Sequence, residues 1–303
     1  MMKYVVTGGA GFIGSNLVDK LIAEGSEVHV IDNFSSGKKD NCNKKAKYYN
    51  LDLSNSDNCS NFIEILNGVD TVFHTAAIAR VQPSISDPIN YEKNNTIGLV
   101  NILKSSVDAG VKRFVYSSSS SVYGNNENLP LKETEEPNPL SPYGAQKLYG
   151  ETMCKTFSEV YGIETVCLRY FNVYGEKQNI GGAYSLVIGI FINQKMQNLP
   201  LTIRGDGSQK RDFTYVGDVV EANILASKSK KVGKGESINI GRGKSISINE
   251  LAEMISNNHT YIDSVLEPKE NLADNEKAYT LLGWKPKIEL AKWIMKKNYN
   301  SNK

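Results

Sequence analysis

Short runs of β-branched and aromatic residues recur along the first two-thirds of the chain. They are KYVVT (3–7), EVHVID (27–32), DTVFHTA (70–76), RFVYSSS (113–119) and ETVCLRY (164–170). Most are almost continuously apolar rather than alternating, the pattern of strands covered on both faces. Between them apolar positions recur with helical period. FIGSNLVDKLIAEG (12–25) closes on Gly25 and TIGLVNILKSSVDAG (96–110) on Gly110, glycine being the residue that most readily ends a helix. Strand and helix alternating at this spacing predict an α/β fold with a doubly wound, mainly parallel sheet.

The pattern loosens after YFNVYG (170–175). Residues 176–216 hold a Gly-rich segment, an apolar helix around 184–197 and the turn-rich RGDGSQKRDF. YVGDVVEANILAS predicts one more helix, and SINIGRG one more strand and turn. The tail offers short helices at SINELAEMIS and NEKAYTLLG. The expected division is a nucleotide-binding domain from residues 1–173 and 217–240, with a smaller, partly discontinuous C-terminal substrate domain from 174–216 and 241–303.

Composition narrows the partners. With 35 basic and 33 acidic residues among 303, the net charge is +2. No single-sign run suggests nucleic acid or an anionic membrane. Cys42, Cys59, Cys154 and Cys167 have no ligand spacing, so reduced thiols are expected rather than a disulfide framework or a metal site. The apolar run in MMKYVVTGG is too short for a signal peptide, and no stretch is long enough to span a bilayer. A cytoplasmic protein is the expectation.

VVTGGAGFIGSNL sets Gly8, Gly11 and Gly14 between the first strand and the first helix. Glycines there let the backbone turn tightly and approach a pyrophosphate, and the helix N-terminus adds N–H groups and a favourable dipole. Asp32 closes the second strand, at the interval where a carboxylate accepts from both ribose hydroxyls and repels a 2′-phosphate. The expected cofactor is therefore NAD on a Rossmann-type sheet. Asp52, in YNLDLSN, follows a third strand; it is placed either to meet the adenine amino group or to cap the next helix.

In SPYGAQKLYGE, Tyr143 and Lys147 are four residues apart, on one face of a helix that Pro142 helps to start. An ammonium beside a phenol favours the phenolate, which makes Tyr143 a usable base. TGGAGFIG, the serine-tipped strand YSSSSSVYG (116–124) and YGAQK together resemble the extended short-chain dehydrogenase/reductases. FHTAAIARVQPSISDP (73–88), LRYFNVYG (168–175) and GDGSQKRDFTYVGDVVEA (205–222) extend the likeness to about residue 250. Within that family the chain is most similar to the nucleotide-sugar 4-epimerases.

The resemblance implies roles residue by residue. Ser119 falls on the catalytic strand-end hydroxyl, Tyr143 on the base, and Lys147 on the residue that binds nicotinamide ribose and tunes Tyr143. Phe12, Ile13, Asn33, Ser36, Gly37, Leu53, Ala76, Ala77, Asn94 and Tyr170 join the glycines, Asp32 and Asp52 around NAD. Ser84, Ser120 and Ser121 line the hexose pocket, and Asn172 contacts the sugar nucleotide. Arg211 meets the UDP pyrophosphate, a charge-assisted contact. Ser185, Val187 and Thr202 line the groove, and Asn271 gates the space near hexose C2. The implied reaction passes through a transient 4-keto sugar: Tyr143 takes the 4-hydroxyl proton while NAD takes the C4 hydride, and the hydride returns to the other face. The family also implies a homodimer, paired through the helices at 96–110 and 145–161.

Related 4,6-dehydratases carry an Asp-Glu pair where this chain has Ser120 and Ser121, and the decarboxylating relatives need a carboxylate near the same point. Epimerisation is favoured. A non-catalytic NAD-sensing protein would be expected to lose Ser119, Tyr143 or Lys147, and all three are present. Asn271, smaller than the Tyr of some relatives, favours UDP-GlcNAc/UDP-GalNAc, with UDP-Glc/UDP-Gal beside them; it is also placed to cap the helix starting near Asp274. UDP-glucuronate stays open as an alternative. VLEPKENLAD is shorter than the matching family segment and lacks its second phosphate arginine, leaving Lys269 as a less directional charge. Gly189 stands where relatives often have Pro. Arg80 lies in a loop near the expected hexose pocket, as either a contact to a substrate anion or a surface residue.

Overall fold

The computed structural model describes residues 1–180, 185–265 and 267–299. β1 (Lys3–Thr7) feeds α1 (Phe12–Ala23), and β2 (Glu27–Ile31) leads through a loop to β3 (Lys47–Tyr49). α2 (Cys59–Leu66) precedes β4 (Thr71–His74). The short helices α3 (Val81–Ser86) and α4 (Pro88–Glu92) run through a π-helical turn (Lys93–Ile97) into α5 (Gly98–Asp108). β5 (Arg113–Ser119), the long α6 (Pro142–Tyr161) and β6 (Glu164–Tyr170) follow.

The second part contains β7 (Val173–Tyr174), α7 (Val187–Met196), β8 (Leu201–Arg204), β9 (Lys210–Asp212) and β10 (Thr214–Tyr215). α8 (Val216–Lys228) and β11 (Lys234–Ile240) return to the main sheet. β12 (Ser245–Ser247), α9 (Ile248–Ile255), β13 (His259–Ile262), α10 (Glu276–Leu282) and α11 (Leu290–Tyr299) complete the chain order.

Seven strands form one sheet in the order β11-β6-β5-β4-β1-β2-β3, every neighbouring pair parallel. The strand order reverses between β1 and β4, and a crevice opens at the carboxyl ends of the strands at such a point. The continuous apolar runs are explained by the side-chain period of two. Tyr4, Val6, Val30, Phe73 and Val115 enter the core on one face. Val5, Ile31, Val72, Phe114 and Tyr116 enter the core on the other. The predicted Rossmann-type, doubly wound α/β sheet is the fold.

A third apolar cluster is built from later residues, among them Tyr174, Ile188, Phe191, Leu201, Ile203, Phe213, Leu251 and Trp293. Ala278, Leu282 and Trp284 pack instead into the sheet core beneath α8. Trp284 Nε1 donates to the Asp218 carbonyl at 2.8 Å. That part of the tail is tied to the nucleotide-binding half.

Helix ends follow local rules. Ser141 caps α6 by accepting from Gly144 N at 3.1 Å, with Pro142 in the first turn. Gly162 ends α6 at φ 75, the left-handed conformation that costs glycine least. Among the described residues no helix is long and apolar enough to cross a membrane.

Candidate active site

The turn from β1 to α1 is built by backbone proximity. Gly8 sits at φ +69, and a Cβ there would lie 2.7 Å from the Ala76 backbone. A Cβ on Gly14 would fall 2.3 Å from the Gly8 carbonyl oxygen and 2.6 Å from Thr75 Oγ1. Neither contact is sterically possible, so glycine is required for α1 to start this close to the strand. Gly11 is the N-cap of α1 and supplies no side-chain cap, which leaves first-turn N–H groups for an anion. Phe12 and Ile13 open the helix and pack against the sheet core.

Asp32 is buried at the end of β2, accepting from Ala10 N at 2.9 Å and from Phe34 N at 2.8 Å. Gly37 crosses directly over it, since a Cβ there would stand 3.0 Å from the carboxylate. Asn33 accepts from Ser35 N within the same loop, and Ser36 is exposed. Asp52 Oδ1 accepts from both the N–H and the hydroxyl of Ser54, while Asn55 caps the following turn. Leu53 lies in the second core, and Ala76 and Ala77 are half-buried. The bare helix end, the glycine cradle and the Asp32 carboxylate fit a dinucleotide.

At the carboxyl end of β5 the five serines divide their tasks. Ser117 bonds the Tyr170 hydroxyl at 3.0 Å, and that hydroxyl also donates to Asn223. Tyr170 is thus held in the core, its phenol pushed up to about 12 by burial. Ser118 donates to Glu151, which also holds Arg169 through two bonds. Ser119 Oγ accepts from Ser121 N at 3.1 Å and from the Ser121 hydroxyl at 2.9 Å. With its oxygen so occupied, the Ser119 proton is free to turn toward Tyr143, whose phenol Ser119 lowers. Ser120 is half-buried in the same turn.

Burial raises the Tyr143 phenol above its ordinary value of 10, and the Ser119 hydrogen bond and the Arg80 charge oppose that rise. Lys147 was expected to act on the phenol. Its Nζ donates to the Ser117 carbonyl at 2.7 Å and stands over the Tyr143 ring, 5.8 Å from its centroid. Burial lowers the Lys147 ammonium from 10.5 to about 8. Arg80 adds a second positive charge near the Tyr143 phenol and holds φ +119, a left-handed value that strains a non-glycine backbone. Ser84 is buried behind them; its hydroxyl accepts from Tyr143 N and donates to the Val81 carbonyl. It ties α3 to the start of α6.

Of the asparagines in the π-helical turn, Asn94 bonds back to Asn90 on the solvent side. Asn95 is the buried one: it holds Ile78 through both backbone groups and donates to Gln146 on α6. The extra residue in a π turn rotates the helix face, and sequence period alone does not reveal it.

The other wall comes from the second part of the chain. Asn172, at φ 25, donates to the Asp212 carbonyl and to Asn271 Oδ1. Asn271 Oδ1 also accepts from Asp212 N, so this side chain is locked against Asn172 rather than capping α10. Ser185 Oγ is buried with no hydrogen-bond partner among the described residues, a polar atom that a ligand would satisfy. Thr202 is bonded to Gln194, and Val187 begins α7 against the third cluster. Arg211 on β9 is 8% exposed and paired at 2.5 Å with Glu267. Sequence reasoning missed that partner, which lies 56 residues away. Among the described residues no cluster of His, Cys, Asp or Glu could hold a metal ion.

Residues 4–241 match the NAD dependent epimerase/dehydratase family. The structure is similar to the UDP-glucose 4-epimerase of Thermotoga maritima with UDP-glucose, at TM-score 0.92 and 36% identity, covering 98% of this chain and 100% of that one. It is similar to a UDP-N-acetylglucosamine 4-epimerase from Methanobrevibacter ruminantium in complex with UDP-N-acetylmuramic acid, at 0.89 and 38%, covering 98% and 99%. It also resembles a UDP-glucuronic acid 4-epimerase from Bacillus cereus in complex with UDP-glucuronic acid and NAD, at 0.90 and 34%, covering 99% of each chain. The chain belongs to the NAD dependent epimerase/dehydratase family. It is an NAD-dependent enzyme of the 4-epimerase class.

Proposed function

We propose that this protein interconverts UDP-sugars at C4, with Tyr143 as the group that takes and returns the proton of the 4-hydroxyl. The observation that carries the reading is the meeting of Tyr143 with Ser119 at the tip of β5, where Ser119 lowers the phenol, followed by serines and no carboxylate. Gly8, Gly11, Gly14, Asp32 and Lys147 are the residues that would hold NAD. Bound NAD supplies the hydride chemistry at the sugar carbon.

The chain's own groups govern the proton. Ser121 fixes the Ser119 oxygen, so the Ser119 hydroxyl donates toward Tyr143 and favours its phenolate. Arg80 adds positive charge on the same phenol. In the protein alone burial still wins and the phenol stays above 10; the positive nicotinamide ring of bound NAD is the further charge that makes Tyr143 a base near neutrality. Asn172, Ser185 and Arg211 grip the nucleotide half while the hexose turns over.

The substrate favoured is a UDP-N-acetylhexosamine, with the UDP-hexoses accepted beside it. Asn271 is short and locked onto Asn172 and Asp212, which supports room at the C2 substituent. A second reading rests on Arg80: a cation beside Tyr143 suits the carboxylate of a UDP-hexuronate. The test is incubation of the NAD-loaded protein with UDP-GlcNAc, UDP-Glc and UDP-GlcA separately, with the C4 epimers resolved. Absence of an epimer from all three would sink the reading. Tyr143→Phe should cut turnover at least about 10³-fold with UDP affinity nearly unchanged; a variant retaining most activity would remove Tyr143 from the role of base.

A further inference from the structure

Arg211 does not present a bare guanidinium. Nη1 donates to its neighbour's carbonyl, Lys210 O, at 2.8 Å and to Lys269 O at 3.5 Å. Nη2 donates to Glu267 Oε2 at 2.5 Å, and Gln209 Nε2 holds the other carboxylate oxygen at 3.2 Å. Glu267 thus sits in a fork of two donors, one of them charged, as a phosphate oxygen pair would.

The backbone following Glu267 is pinned. Lys210 N donates to Lys269 O, Asn271 N to Lys210 O, and Asp212 N to Asn271 O, which ties the strap to β9. Across the cleft, Leu131 N donates to Leu272 O and Asp274 N to Leu131 O. Lys269 N donates to Asn125 Oδ1. The carboxylate is therefore delivered from a fixed strap, and its departure needs a side-chain rotation rather than a domain movement.

We infer that Glu267 is an internal anion that the substrate diphosphate must displace from Arg211, so that it sets the affinity of the nucleotide half. This rests on the reading of Arg211 as the diphosphate contact. Exchanging one anion for another at a buried cation gains less than filling an empty cation site, because the lost ion pair offsets the new one. A diphosphate, with two charges, wins the exchange; the loss of Glu267 weakens its hold and shortens the stay of substrate and product. Since one carboxylate charge leaves Arg211 as the diphosphate arrives, UDP binding should depend less steeply on salt than in a variant whose Arg211 lacks that partner.

The experiment measures UDP and uridine binding to the NAD-loaded enzyme by calorimetry at several salt concentrations, for wild type, Glu267→Gln and Arg211→Met. Glu267→Gln should tighten UDP about tenfold, steepen its salt dependence and leave uridine unchanged. A gain of affinity is not what misfolding produces. UDP affinity that is unchanged or weaker in Glu267→Gln overturns the inference, as does an equal change for uridine. If Arg211→Met leaves UDP binding intact, the underlying role of Arg211 fails and the inference with it. If Arg211→Met weakens UDP while Glu267→Gln does nothing, the inference alone fails.

Discussion

At the scale of single residues, the site is set by which charges are buried and what they face. Lys147 keeps its proton at neutral pH but loses it as pH rises through about 8 in the NAD-free protein. Its folded value lies below its ordinary one, so between about 8 and 10.5 the unfolded chain holds a proton that the folded chain does not. Stability gained from this group therefore rises with pH in that window, and below it the buried ammonium is a cost. Lys147→Met should cut turnover by about 10²-fold or more, while the melting temperature of the NAD-free protein at pH 7 stays level or rises. A clear drop in melting temperature would show that the bond to Ser117 outweighs the cost of burial.

Among elements, the strap from Glu267 to Ala273 depends on Asp212. Its carboxylate accepts from Arg242 N, Gly243 N and Ala273 N, and burial raises it to about 6. Asp212→Asn keeps one accepting oxygen but turns an amide NH₂ against at least one of the three donors, which should destabilise the fold by about 1–3 kcal/mol. The same change should weaken UDP binding more than NAD binding, as thermal melts with each ligand would show; equal weakening of both would place the effect elsewhere. The main elements were legible because β1, β5 and β6 are continuous apolar runs and because Ser141, Pro142 and Gly162 mark α6. The π turn that turns Asn95 inward was not, nor were β7 and β10, which pair through two residues each. The Tyr143–Lys147 pair was readable from its spacing, and Ser119 only through the family resemblance. The bond from Lys147 to the Ser117 carbonyl and the pairing of Glu267 with Arg211 were not, because both depend on contacts distant in the chain.

For the whole molecule, an apolar face remains around the start of α6. Ile89 is 83% exposed, Ile97 47% and Tyr149 42%. With Pro88, Thr96 and Ala145 they line one shallow cavity of about 780 Å³. The family resemblance implied a homodimer paired through the helices at 96–110 and 145–161, and we propose this face as that contact. Ile97→Asp combined with Tyr149→Glu should shift the mass measured by light scattering to that of one chain. An unchanged dimer would move the interface to another face.

The uncapped start of α1 carries a consequence beyond the chemistry. Its first-turn N–H groups have no side-chain cap from Gly11, so a bound dinucleotide completes the fold as well as the site. A ligand present at a thousand times its dissociation constant adds about 4 kcal/mol to the native state. The lifetime of the chain in a cell is then coupled to the supply of its dinucleotide: copies made in excess of it should be the first unfolded and degraded.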